Sequence, residues 1–239
     1  ISDQRIRLDI HELQTYFNHQ AITHSYLPTT ICHELVHEGF ESNRLTVLTG
    51  GDTLKIKKTP KFTLYNNYGP TENTVVTTFF NLQDDYKSSI PIGKPISNTH
   101  CYILDENLEI VPIGIAGTLY TSGVGVARGY LNNPELTTER FIANPFVEGE
   151  RMYNTGDIAK WLPDGNIEFL GRKDSQVKIR GHRIELEEIE NTIIRVSETI
   201  QNVVVCVKEV GKEKELVAYY ISKKRIEKLA LHQFLQGKL

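Results

Sequence analysis

The stretch Asn66-Asn67-Tyr68-Gly69-Pro70-Thr71-Glu72 constrains this chain more than any other. It lies between two apolar runs, Phe62-Thr63-Leu64-Tyr65 and residues 74–82 with Val75, Val76, Phe79 and Phe80. Both runs read as short buried strands, and Gly-Pro between them forces a turn. A plain turn has no need of two amides, an aromatic ring, a hydroxyl and a carboxylate. Gly69 and Pro70 pin the backbone, so these side chains stand on a rigid corner at a strand end, where α/β proteins bind ligands. Tyr68 has a ring that can stack on a flat heterocycle, and Asn66 an amide that can pair with its edge. Thr71 and Glu72 offer oxygen to a phosphate-bound Mg2+, which takes one or two carboxylates plus phosphates. The competing reading is a satisfied polar turn.

Composition narrows the class. The 239 residues suit one or two domains with a sizeable core. A hydrophobic content of 39% and a net charge of −3 describe an ordinary soluble protein, with no basic surplus for nucleic acid. From Asp174 onward there are 12 Lys+Arg against 10 Asp+Glu; subtracting these from the totals of 27 and 30 leaves 15 against 20 before it. The balance thus changes from −5 to +2, which hints at two parts. Cys32, Cys101 and Cys206 are far apart and read as reduced thiols of a cytoplasmic protein. No apolar run approaches the roughly 18 residues of a membrane helix, and no signal peptide is visible. The chain opens on Ile1-Ser2-Asp3 without an initiator Met and ends in a helical run at 236–239, so a fragment of something larger is expected.

In chain order, Ile10, Leu13, Tyr16 and Phe17 have helical spacing over 10–19. Residues 21–27 read as a strand. Pro28 then opens a helix carrying Leu35 and Val36, and 45–49 reads as a buried strand ending in Gly50-Gly51-Asp52. This alternation predicts an α/β layer with a largely parallel sheet over 1–90. After Pro91 the chain is rich in Gly and β-formers, which predicts a small antiparallel β-barrel or sandwich over 91–173, with a short helix at 135–141 and a hairpin at 163–166. From Asp174 a strand at 176–180, a helix at 184–196, strands at 201–210 and 216–222 and a helix at 226–235 predict a compact α+β unit over 174–239.

His33-Glu34-Leu35-Val36-His37 matches the zinc-peptidase pattern HExxH, which on a helix puts both histidines on one face with Glu34 as general base. The pattern needs a third ligand. In the extended form the Gly comes one residue early, at Gly39, and Asn43 stands where the His belongs. The competing reading is an amphipathic helix with solvated histidines.

Four further motifs follow the corner in order. The glycine-rich 123–131 reads Gly-Val-Gly-Val-Ala-Arg-Gly-Tyr-Leu. Tyr153-Asn154-Thr155-Gly156-Asp157 sets a carboxylate after a turn, where it can take both hydroxyls of a ribose. Gly171-Arg172-Lys173-Asp174 follows a strand. Residues 176–185 form a cationic strand and turn. Each alone also suits packing, an Asx turn or a solvated edge. Together with the corner, the set resembles the adenylation domains of nonribosomal peptide synthetases, members of the adenylate-forming family. The likeness runs from about Ala21 to the end, and the ordered combination is highly specific.

That resemblance implies ATP-dependent activation of an amino acid as an acyl-adenylate, then transfer to a phosphopantetheine thiol. It implies ATP, Mg2+ and amino acid as ligands, and peptidyl carrier and condensation domains as partners in the same synthetase. It places Tyr68 on adenine, Asn66 at the amino edge, Asp157 and Arg172 at the ribose, and Phe169 beside the nucleotide. Glu72 holds Mg2+ beside Thr71, and these two with Lys178 form the implied catalytic set. Asp174 corresponds to the hinge between two half-reactions, with Lys178, Arg180 and Gly181 lining the site in the second. The implied substrate pocket is Tyr26, Leu48, Gly50, Asn67, Val75 and Val76. It is apolar, with room at Gly50, and favours leucine or another branched aliphatic acid.

Thr118, Phe169 and Glu187 depart from the family's usual Glu, Tyr and Gly; the hydroxyl that Phe169 lacks is a contact to the nucleotide. The family's phosphate loop and the Asp that holds the substrate amine are expected before Ile1, and its terminal Lys after Leu239. Residues 1–239 alone are therefore expected to catalyse little. Other readings remain open: an acyl-CoA or D-alanine–carrier ligase, a non-catalytic nucleotide-binding fragment, and the zinc peptidase.

Overall fold

A computed structural model describes residues 6, 9–83, 89–173, 176–179, 182–210, 213–236 and 238. The chain divides into two compact units, Ile1–Lys173 and Asp174–Leu239.

The described part of the first unit runs through helix α1 (Ile10–His19), strand β1 (His24–Pro28), helix α2 (Thr29–His37), β2 (Glu41–Gly50) and β3 (Lys61–Tyr68). Asp9 caps α1 by accepting from the backbone N–H groups of His11 and Glu12 at 2.9 and 3.2 Å. This satisfies donors that a helix start leaves without partners. β1, β2 and β3 pair in parallel, and β4 (Thr78–Leu82) and β5 (Lys94–Pro95) extend the sheet antiparallel. Alternation along these strands sorts the side chains. Leu27, Leu45, Val47 and Leu64 are buried in one core with Leu13 and Phe17 of α1 and Cys32 and Leu35 of α2. Tyr26, Leu48 and Tyr65, which share one row of the register, project from the other face.

The run 74–82 does not form one strand. A 3-10 turn (Thr71–Asn73) precedes it, and β4 starts only at Thr78. Thr74 and Val75 take positive φ of 54° and 72°, incompatible with a strand. An apolar run thus passes for strand when its first residues serve a corner.

The second sheet also departs from expectation. β6 (Thr99–Leu104), β7 (Gly117–Gly123), β8 (Phe141–Ala143), β9 (Arg151–Trp161) and β10 (Ile167–Arg172) pair antiparallel in the order β10-β9-β7-β6, with β8 on β9. The predicted small barrel is corrected to an open sheet. β8 pairs with 151–153 and β10 with 157–161, so the two share a strand rather than widening the sheet. Four strands across are too few to close. Helix α3 (Pro134–Arg140) precedes β8, and Asn133 caps it by accepting from the Leu136 N–H. A bridge between Gly93 and Ile167 ties the segment after β4 to β10.

The second unit is ββαββα rather than βαββα. β11 (Gln176–Ile179) pairs antiparallel with β12 (His182–Glu185), helix α4 (Leu186–Ile194) follows, β13 (Ile200–Val210) pairs with β14 (Glu213–Ser222), and α5 (Lys228–Gln236) ends it. β12 is hidden in the sequence because Ile184 fits both the helical repeat and a strand pairing with Val177. The core is Leu186, Ile193, Ile200, Val203 and Val205. Asp174, Arg180 and Gly181, expected as hinge and loop residues, lie outside the described residues. Lys178 pairs with Arg183 in the β11–β12 ladder, and its side chain is likewise outside the description.

Candidate active site

The corner after β3 is built by close approach. A Cβ on Gly69 would lie 2.4 Å from the Val75 carbonyl oxygen and 2.6 Å from the Thr77 nitrogen, so only glycine lets the chain fold back so tightly. The Thr77 N–H donates to the Tyr68 carbonyl at 2.7 Å, closing the loop. Inside it, the Asn73 amide donates to the Thr77 and Thr121 hydroxyls, both at 2.9 Å. A β-branched residue such as Val75 at positive φ costs on the order of 1–3 kcal/mol and persists only where its surroundings over-determine it. These bonds supply that constraint.

Two carboxylates converge on the corner. Asp157, in β9, is 4% exposed. Its Oδ2 accepts from the Tyr68 hydroxyl, and its Oδ1 accepts from Arg172 Nη1 at 2.7 Å. The same nitrogen donates to the Thr155 carbonyl at 3.1 Å. Thr155 in turn accepts from the Asp157 N–H and donates to the Leu119 carbonyl. The group therefore presents a carboxylate oriented by a phenol, a guanidinium and a backbone turn. Burial, followed by the Asp157 charge, pushes the Tyr68 phenol well above its ordinary pKa, so it stays a donor. The Tyr68 ring packs with Ile92, Ile103, Leu119 and Ile167, and 6.4 Å from the Phe169 ring.

Glu72, 7% exposed, is the second carboxylate. Its Oε1 accepts from the Tyr130 hydroxyl at 2.7 Å, and the Tyr130 and Tyr153 hydroxyls are 3.2 Å apart. Burial, and hydrogen bonds to Tyr153 and Glu72, raise the Tyr130 pKa far above the usual phenol range. Thr71 beside it is exposed. A carboxylate and a hydroxyl are hard oxygen donors of the kind Mg2+ takes, so the donor set fits that ion.

Asn66 faces the core side and donates to the Pro91 carbonyl at 2.9 Å. The pocket residues Tyr26, Leu48, Gly50 and Asn67 share the opposite face of β1–β3 through their register. Gly50 is required there: an added Cβ would stand 2.3 Å from the Asn67 carbonyl oxygen. The Tyr26 and Thr29 hydroxyls both donate to the Gly50 carbonyl, at 3.2 and 3.1 Å. Val75 and Val76 belong to the corner itself. The structure thus brings together Tyr68, Asp157, Phe169 and Arg172 as one cluster, Glu72 with Tyr130 and Tyr153 as another, and four pocket residues on one face of the sheet. Tyr130, Tyr153 and Thr155 were quoted in motifs without a role; their place in ordered, glycine-punctuated motifs was the available signal.

His33 and His37 have other engagements. His33 Nε2 lies 3.0 Å from the Lys55 carbonyl oxygen, and His37 Nδ1 lies 3.2 Å from Glu38 Oε1. No group of three or more His, Cys, Asp or Glu suited to a metal occurs among the described residues.

The family model for AMP-binding enzymes matches residues 1–131, and the chain belongs to that family. Within it, the likeness is to adenylation domains of nonribosomal peptide synthetases. Over its whole length the chain is 48% identical to bacitracin synthase 1 of Bacillus licheniformis, of which it covers 4%, and 43% identical to tyrocidine synthase 1 of Brevibacillus parabrevis, of which it covers 22%. It spans only these small fractions of the relatives. Among solved structures, PA1221, an NRPS protein containing adenylation and PCP domains, superposes with a TM-score of 0.79 at 30% identity, over 93% of this chain and 48% of that one. This membership leaves the HExxH pattern as a coincidence on α2.

Proposed function

We propose that the protein carrying this chain activates an amino acid with ATP and hands it to a carrier-bound phosphopantetheine thiol. The observation that supports this most is Asp157, buried and oriented by Tyr68 and Arg172 beside the corner that bears Glu72. An aligned carboxylate is what a ribose diol needs, and a buried Glu with a neighbouring hydroxyl is what a nucleotide-bound cation needs.

In the first half-reaction a substrate carboxylate oxygen attacks the α-phosphorus, an O–P bond forms, and the bond to the bridging oxygen breaks to release pyrophosphate. In the second, the carrier thiol loses its proton to solvent, its sulfur bonds to the acyl carbon, and the acyl C–O bond breaks to release AMP. Mg2+, when bound, neutralises charge that builds on the phosphate oxygens. Glu72 and Thr71 would hold it. Asp157 and Arg172 bind the ribose, Asn66 and Tyr68 define the adenine side, and Phe169 flanks it. Asp174 serves as the hinge, with Lys178, Arg180 and Gly181 serving the second half-reaction. The peptidyl carrier and condensation domains are partners from the same synthetase.

The Tyr26, Leu48, Gly50, Asn67, Val75 and Val76 set receives leucine or a similar branched aliphatic side chain. No charged group stands among these six to pair a charged substrate. One methylene is worth only about 1–3 kcal/mol of discrimination, so isoleucine, valine and methionine are weaker substrates rather than excluded ones. Amino-acid-dependent pyrophosphate exchange by the intact protein tests the proposal. Exchange strongest with leucine is expected; binding of ATP with no exchange for any amino acid would sink it.

A further inference from the structure

The glycine-rich segment 123–131 forms a clasp over the corner. The Thr74 hydroxyl donates to the Gly125 carbonyl at 2.7 Å, and the Ala127 N–H donates to the Glu72 carbonyl at 2.8 Å. The clasp is itself held from behind. Arg151 donates from Nη1 and Nη2 to the Arg128 and Ala127 carbonyls, both at 3.0 Å, and the Tyr130 N–H donates to the Thr137 hydroxyl at 2.9 Å. The Tyr130 ring meets the Phe141 ring edge-on at 5.4 Å. So fixed, Tyr130 delivers its hydroxyl to Glu72 Oε1.

We propose that Tyr130 is a positioning residue that sets the orientation of the Glu72 carboxylate toward a nucleotide-bound divalent cation. The inference rests on the reading of Glu72 as the cation's ligand. A carboxylate on a freely rotating side chain loses rotamer entropy whenever it engages a cation. A hydrogen bond to one oxygen removes part of that cost beforehand and directs the remaining lone pairs, as outer partners do at metal sites generally. Three features argue against plain packing. The bond ends on a charged oxygen rather than a backbone group. The backbone of the same glutamate is held separately by Ala127. The two hydroxyls of Tyr130 and Tyr153 form a chain leading to that oxygen.

The test uses Tyr130→Phe in the intact protein, which keeps the ring and its contact with Phe141. Two readouts are taken: the Mg2+ dependence of pyrophosphate exchange, and calorimetric binding of a non-hydrolysable ATP analogue across a Mg2+ titration. Affinity for Mg2+ in the presence of the analogue is expected to fall by about 10- to 100-fold, the usual effect of losing a ligand's outer partner. The KM for the amino acid is expected to stay put. In a Glu72→Gln background, Tyr130→Phe should add little further loss. A Tyr130→Phe protein that melts at a lower temperature yet keeps the wild-type Mg2+ dependence would overturn the proposal and assign Tyr130 to packing. Wild-type protein that binds the Mg2+–analogue complex but exchanges with no amino acid would instead defeat the proposed reaction, with the binding titration still deciding the role of Tyr130. Failure of the wild type to bind the complex would overturn both.

Discussion

The two sides of the β3 corner are built differently. On the side proposed for the nucleotide, Asp157 and Glu72 are 4% and 7% exposed, and each accepts a hydrogen bond from a tyrosine hydroxyl. On the side assigned to the amino acid, Tyr26 and Val75 are 60% and 67% exposed, and the face is open and mainly apolar. A charge taken out of water must be paired, so the side with the two carboxylates is over-determined by its own neighbours. An apolar wall needs no such pairing, and its exposed side chains, unlike the close-packed Gly50, can vary without unfolding the sheet beneath them. The two sides of one corner thus differ in what fixes them: buried, hydrogen-bonded carboxylates on one, exposed apolar surface on the other.

The hardest blow to that contrast is Asp157→Ala. It removes the Asp157 carboxylate from the mostly buried Arg172 guanidinium. A stability loss of about 3–5 kcal/mol is expected, as for other broken buried pairs, read as a lowered denaturant midpoint with loss of exchange activity. A change under about 1 kcal/mol would show that the cluster is not pre-formed.

Gly50→Ala probes the seam between the halves. The new methyl would collide with the Asn67 backbone in the neighbouring strand, so β2 and β3 must separate. A loss of about 1–3 kcal/mol is expected by thermal melting, the range of forced overpacking. A neutral result would mean that the strands part more easily than the sheet geometry implies.

Leu48→Ala tests the side proposed for the amino acid. Leu48 is 36% exposed, so stability should move by no more than about 0.5–1 kcal/mol, with the exchange preference for leucine over valine falling roughly tenfold. Unchanged preference would remove Leu48 from the pocket.

The smallest effect concerns thiols behind the two halves. Burial pushes Cys32 and Cys101 up to about 12 from an ordinary 9.0. Unfolding releases these protons more readily, so their contribution to stability is complete below about pH 9 and is lost as pH rises toward 12. At pH 8 both should resist alkylation, while the partly exposed Cys206 on β13 reacts; mass spectrometry after a timed iodoacetamide pulse reads the difference.

Much of this was legible in one dimension. The spacing of Ile10, Leu13, Tyr16 and Phe17 marks α1 at its observed limits, because a helix face repeats within a few residues. The ordered motifs single out Asn66–Glu72, Asp157 and Arg172 as candidates, because the residue types themselves carry the chemistry. β12 was not legible, since Ile184 fits two periods. The open sheet was not either, because closure depends on which strand edges pair, and β8 and β10 share β9.

By itself, the sequence determined local periods, the glycine and proline punctuation of the corner, and the order of polar motifs. Those depend on neighbours a few residues apart. Only the tertiary structure decided that Tyr68 meets Asp157 across 89 positions and that Tyr130 reaches Glu72 across 58. It also decided that Val75 turns left-handed rather than extending β4. The physical reason is the same in each case: a buried charge and a strained backbone are stable only when distant groups arrive to satisfy them, and that arrival is a property of the folded chain.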